Sequence, residues 1–267
     1  MGEASARGRW LSGAVTLAVL IFLLLPLLIL MIQSFTAESH LSFPPTRYGV
    51  RWYRHIFTAR DWRGAMSISL LVAIVVTPAA LCLGTAAALG LDRGPARGRR
   101  ELYTLMISPM VLPHIILGLG LLRVLLWLGL TDTIVGFVLA HLTIAVPYVV
   151  VMVGASLATF DRAAEEAAQS LGASPARALW HVTLPMIRPG LIAGAIFSFI
   201  ASFDEFIMTY FLATHNMTLP IQIFSSLSYD VDPSIAAVSG LMIIVTATLT
   251  SLLVARGQVL GGGKAIA

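Results

Sequence analysis

Two adjacent acids, Asp204 and Glu205, interrupt the apolar run "LIAGAIFSFIASFDEFIMTYFLA". An acid at the centre of a membrane helix costs about 2.5–3.5 kcal/mol on insertion scales, so such a pair marks a functional site unless structural partners offset that cost. The chemistry open to it is pairing with a cation, and Phe203, Phe206 and Tyr210 supply aromatic faces for the same ligand. Helical periodicity separates the two acids. At about 100° per residue, Glu205 aligns with Ser198, Ser202 and Thr209 in a polar stripe, whereas Asp204 shares its face with Phe197, Ile200, Ala201, Ile207, Met208 and Phe211. The pattern places Glu205 toward a polar path and Asp204 against a neighbouring helix or subunit. Structural hydrogen bonding, or a position at the outer interface, is the alternative reading. His114 and His141 either line the same cavity or serve packing, and no pair of residues has metal-ligand spacing. With no nucleophile–base arrangement in view, an enzyme is not expected.

These residues need elements to hold them. Hydrophobic residues are 58% of the chain and charged residues 11%, which excludes an ordinary soluble domain. Runs long enough to cross about 30 Å of hydrocarbon lie near 11–34, 66–90, 102–126, 131–156, 189–213 and 235–255. They predict an all-α, polytopic membrane protein, one domain over 1–267 with six transmembrane helices. The first run exceeds a signal-peptide core and lacks a clean cleavage site, so it reads as a retained helix. Six spans put both termini on one side, and eleven of the 17 basic residues fall on that side, which predicts cytoplasmic termini. The excess of arginine thus reports orientation rather than nucleic-acid binding. The first outer loop, "TRYGVRWYRHIFTARDWRG", is basic against this trend and reads either as a short interfacial amphipathic helix or as a solvated loop. Cys82 stands alone, so no intrachain disulfide exists.

The longest inner loop, 157–188, is polar and helix-prone. Asp161 precedes "RAAEEAAQSL" as an N-cap, Gly172 ends that run, and Ser174–Pro175 restart a second helix. Small residues such as Ala167 and Ala168 permit close approach of a partner, and Glu165 and Glu166 offer it charge. An amphipathic connector is the plainer reading of the same composition.

Glu166-Ala167-Ala168, three residues, Gly172, nine residues, then Val182-Thr183-Leu184-Pro185 resembles the EAA loop of permease subunits in bacterial ATP-binding-cassette importers, the binding-protein-dependent (MetI-like) family. The pattern there is E-A-A-x3-G-x9-I-x-L-P, with Val182 the one departure. The second half of the chain is similar to PotC-like permeases of spermidine and putrescine importers. The resemblance implies a multi-pass permease of the bacterial inner membrane, without its own cofactor. Its partners would be a dimer of cytoplasmic ATPases that binds ATP and Mg, a second homologous permease, a periplasmic or extracellular substrate-binding protein and the surrounding lipids. Within it, Ala167, Ala168 and Gly172 would give the coupling helix its close fit to the ATPase, Glu166 would pair with a basic residue there, and Leu184 and Pro185 would fix the loop to the fifth span. No G-x4-G-K-[ST] occurs, and "GGGKA" near the C-terminus lacks the phosphate-loop spacing. Polyamine is the expected cargo, with thiamine, ferric iron or another small polar solute as alternatives and an ion-driven carrier as the rival class.

Overall fold

A computed structural model describes residues 3–95, 97–229 and 232–260, without the side chains of 3–7, 9, 229, 249 and 252–260. Asp230 and the glycine-rich tail lie outside the described residues. Among those described, the chain is all helical apart from one antiparallel bridge between Thr36 and Tyr48. It divides into two compact units, 1–63 with 223–246, and 64–222 with 247–267.

The first unit begins with α1 (Glu3–Ser34). The hydrophobic core of this helix is unburied within the chain, which costs nothing where lipid tails replace protein as its surroundings. Its end is held by polar contacts. The Ser34 hydroxyl donates to the Met31 carbonyl at 2.6 Å and accepts from Tyr53 at 2.8 Å. In the loop that follows, the Glu38 carboxylate collects the Ser42 hydroxyl and both the hydroxyl and the backbone N–H of Thr46. These bonds, that from Ser42 foremost, lower its pKa to about 2. The basic stretch forms a short amphipathic helix, α2 (Arg51–Thr58), with Trp52 and Ile56 buried and Arg51, Arg54 and Phe57 outside. Gly240 lets α13 (Ser234–Leu260) approach the end of α1, since a Cβ there would lie 2.9 Å from the Ser34 Cβ and the Tyr53 hydroxyl.

Most of α3 (Arg60–Arg93) belongs to the second unit, with α4 (Arg99–Val111), α5 (His114–Trp127) and α6 (Ile134–Ala158). The expected third span is not straight. Leu112, held extended by the proline after it, and Pro113 separate α4 from α5, which meet at 99°. Helix α6 is the centre of the unit and packs most heavily on α10 (Arg188–Phe203). Val72 and Val76 of α3, Phe137, Ile144, Val149 and Val153 of α6, and Met208 and Leu212 form a continuous buried core. Close approach is possible because Gly84 and Gly194 face Val149, and Gly190 faces the Met152 carbonyl. In the turn before α6, Asp132 (φ 57°) binds the loop 214–216. Its carboxylate accepts from the backbone N–H groups of Thr214, His215 and Asn216 at 2.9, 3.1 and 2.9 Å. Burial pushes the Asp132 pKa up, but these N–H bonds outweigh it and leave the pKa below the ordinary value.

Among the described residues, three helices, Trp10–Ser34, Arg60–Arg93 and Ile134–Ala158, are long and apolar enough to span a membrane, and two bent pairs bring the number to five if each is one span. The sixth expected run coincides with α13.

Candidate substrate path and coupling loop

The run carrying the acids is not one helix. Helix α10 stops at Phe203, residues 204–206 are irregular, and α11 (Ile207–Leu212) resumes. Non-helical backbone at membrane depth is tolerated only where protein buries it or a polar cavity lies beside it. Both conditions hold here. Glu205 turns its carboxylate onto the new helix start and accepts from the Met208 N–H at 2.8 Å, next to a cavity of about 560 Å³. That cavity is lined by Asp204, Glu205 and His114 together with Ile144, Tyr148, Phe197, Ile200, Phe206 and Ile207. Among the described residues, no Lys or Arg lines it. The Tyr148 and Phe197 rings stack at 6.2 Å between centroids on its wall.

The geometry corrects the expected division of labour between the two acids. Glu205 is buried and partnered, by Met208 and by His114 Nδ1 at 3.6 Å from its carboxylate. Asp204 is exposed to the cavity, and its carboxylate has no hydrogen bond or ion pair among the described residues. The helix that would carry the stripe breaks at 204–206, and beyond a break the 100° rule no longer relates residues on either side. The stripe itself also faces elsewhere. Ser198, Ser202 and Thr209 are all fully buried. Ser198 donates to the Ala195 carbonyl, while His141 of α6 lies 2.9 Å from the Ser202 hydroxyl through Nδ1 and 2.8 Å from the Thr209 hydroxyl through Nε2. His141 therefore bridges the two sides of the break. Its packing role was one of the two readings open in the sequence, but its partners were not visible there. Tyr210 is half exposed and packs edge-on against Phe211.

Loop 157–188 folds as its capping residues require. The Asp161 side chain accepts from the Ala163 N–H and starts α7 (Arg162–Ser170). Gly172, at φ 92°, closes α7 in a Schellman motif, with Gly172 N–H to the Gln169 carbonyl and Ala173 N–H to the Ala168 carbonyl. Ser174 caps α8 (Pro175–Ala178), which passes through a π-helical turn, Leu179–Thr183, into α9 (Leu184–Met186). A 71° bend then leads to α10. The two glutamates are unlike. Glu166 is exposed, as are Ala167, Gly172 and Pro185, while Ala168 and Leu184 are half-buried. Glu165 is buried, in an ion pair of 2.9 Å with Arg93 and a hydrogen bond of 2.8 Å from Thr183. Leu171 is 90% exposed and Trp180 68% exposed on the same loop.

Comparison with known proteins identifies the family of the chain. The family described as "Binding-protein-dependent transport system inner membrane component" matches residues 80–256. The putrescine transport system permease protein PotI of Escherichia coli K12 is 35% identical, over 83% of this chain and 82% of that one. The spermidine/putrescine transport system permease protein PotC of the same strain is 28% identical, over 95% and 97%. Among solved structures, a bacterial alginate ABC transporter in complex with an alginate pentasaccharide-bound periplasmic protein superposes with a TM-score of 0.71 at 15% identity, covering 98% of this chain and 99% of that chain. The polar break in an apolar helix, the folded loop 157–188 and a family match over well more than half of the chain lead to one conclusion: the protein belongs to the binding-protein-dependent transport system inner membrane components, the permease subunits of ABC importers.

Proposed function

We propose that the chain forms half of the translocation path for a polyamine, putrescine or spermidine, by alternating access. The observation that carries this reading is the cavity with two carboxylates, aromatic walls and no Lys or Arg. An alkyl diamine needs that combination: an anionic group for each ammonium and an apolar surface for the methylenes between. The fold alone cannot fix the cargo, because the alginate importer has the same fold and carries an acidic polysaccharide. The similarity to PotI and PotC supports the cationic choice.

In this reading residues 1–267 make one permease domain of six spans with both termini cytoplasmic. It pairs with a homologous second permease and receives cargo from a substrate-binding protein outside. Two ATPase subunits bind ATP and Mg and hydrolyse the nucleotide. Loop 157–188 docks on an ATPase through exposed Glu166, Ala167 and Gly172, with Leu171 and Trp180 giving apolar contact. Leu184 and Pro185 hold it to α10. ATP-driven closure opens the cavity outward, and hydrolysis resets it.

The test is uptake of labelled putrescine and spermidine in cells that lack other polyamine transporters. Asp204→Asn and Glu205→Gln each remove one charge-assisted contact worth about 1.5–3 kcal/mol, so each raises KM by about tenfold or more. Unchanged polyamine uptake on deleting the chain overturns the cargo, and uptake by the chain without its ATPase overturns the importer mechanism in favour of an ion-driven carrier.

A further inference from the structure

The buried glutamate of the inner loop is placed where an ATPase could not reach it without dismantling the loop's own attachment. Asp92 and Arg93, the last two residues of α3, face Arg162 and Glu165, which lie three residues apart on one face of α7. Arg162 Nη2 donates to the Asp92 carboxylate at 2.8 Å and to its carbonyl at 3.0 Å. Arg93 Nη2 donates to Glu165 at 2.9 Å. The charges run minus, plus on α3 and plus, minus on α7. A slip that crossed the two pairs would set Asp92 against Glu165 and Arg93 against Arg162, so this pattern fixes one register. A third element joins at the same oxygen. Thr183, in the π-helical turn that leads to α10, donates to Glu165 Oε2 at 2.8 Å, and Arg93 Nη2 lies 3.4 Å from the Thr183 hydroxyl.

We infer that Glu165 is a positioning residue for energy coupling: the junction through which displacement of α7 is transmitted to α3 and to α10 together. The end of α3, helix α7 and the turn that leads into α10 meet on one carboxylate, and a pull on any of them is carried to the other two while its bonds hold. The role is separate from ATPase contact, for which the exposed Glu166, about 100° around the helix, is available. The inference rests on the importer reading above.

The experiment uses the complete importer, this chain with its second permease and both ATPases, in vesicles with putrescine outside, and measures ATP hydrolysed and putrescine taken up in one preparation. Glu165→Gln keeps an acceptor for Thr183 but loses the ion pair. The expected result is a complex with its full complement of ATPase, continued hydrolysis, and putrescine per ATP lowered about fivefold or more, within the range of allosteric coupling energies. The exchange Arg93→Glu with Glu165→Arg restores part of that ratio. A wild-type ratio in Glu165→Gln, or loss of ATPase from an otherwise intact complex, overturns the inference; the latter would make Glu165 a docking contact. Should Glu165→Gln fail to assemble, Thr183→Val decides the matter, since it removes one bond at constant volume and a wild-type ratio there refutes the junction. Wild-type uptake that needs no ATPase fails the importer reading itself and is seen before any variant is compared.

Discussion

Replacing His141 with leucine tests whether the break between α10 and α11 is held by the bridge seen in the structure. The imidazole is buried, and each ring nitrogen meets a hydroxyl, one before the break and one after it. Either neutral tautomer is satisfied, because each hydroxyl can donate or accept. His141→Leu keeps much of the volume and removes both bonds. Side-chain hydrogen bonds in membrane proteins average about 0.6 kcal/mol, with a maximum near 1.7, so two of them give about 1–3 kcal/mol. The low end applies if Ser202 and Thr209 turn their hydroxyls onto carbonyls of their own helices. At about 2–4 °C per kcal/mol for a protein of this size, the melting temperature in nanodiscs falls by about 2–12 °C. Ser202→Ala and Thr209→Val, alone and combined with His141→Leu, complete two double-mutant cycles. Because the break carries Asp204 and Glu205, the KM for putrescine should rise with the loss of stability while hydrolysis by the ATPase persists. Additive cycles at both positions would show that the short distances carry no coupling, and the bridge would then be incidental to the break.

Three further outcomes follow from the same structure. Asp132→Asn should lower the protection of amides 214–216 in hydrogen exchange at pH 7, by an amount equal to about 1–2 kcal/mol for lost charge-assisted bonds. In the wild type the depressed carboxylate contributes fully above its unfolded pKa, near 3.8, so protection holds from pH 7 to 5 and declines as pH falls through the lower folded pKa; decline already at pH 6 would contradict the assignment. Glu38 behaves likewise in the loop after α1: its contribution is complete above about 4.5 and is lost toward pH 2. The emission of Trp52, whose indole N–H donates to the Glu38 carbonyl, should be flat from pH 7 to 5 and change below that, with no such transition in Glu38→Gln. Gly190→Ala places a Cβ 2.7 Å from the Met152 carbonyl and against the Ser156 hydroxyl. Overpacking of this kind costs about 1–3 kcal/mol, read as a lower melting temperature that Ser156→Gly relieves only in part, because the carbonyl remains.

What was legible in the sequence was local. Asp161, Gly172, Ser174 and Pro175 define the ends of α7 and α8 by chemistry that acts within a turn, and all four occupy the positions their types require. The amphipathic helix of the first outer loop was one of two readings for the same reason, its periodicity spanning only two turns. Long-range partners were not legible. Nothing near Glu165 in the chain announces Arg93, 72 residues earlier, and nothing near Ser202 and Thr209 announces His141. Ser198 and Ser202 share a buried face of α10, and Thr209 meets Ser202 across the break through His141, but a polar face within a membrane protein has two possible neighbours, a path or another polar side chain, and spacing is the same for both.

The break also explains how two adjacent acids come to serve one cavity. On an unbroken helix their side chains would diverge by about 100°, and one would have to meet lipid or a second subunit. Asp204 and Glu205 instead occupy the irregular residues, which frees both to line the same space. Irregularity has its own cost, since the first N–H groups of α11 lose their helical acceptors, and Glu205 offsets it by accepting from Met208. One acid thus holds the backbone that presents the other. Neutralising Glu205 as glutamine removes a charge and weakens a support together, since the amide oxygen still accepts from Met208 but without the carboxylate's charge, whereas neutralising Asp204 removes a charge alone. Of the two, Asp204 is the cleaner probe of cargo recognition, and a loss of stability confined to Glu205→Gln is the signature that separates their roles.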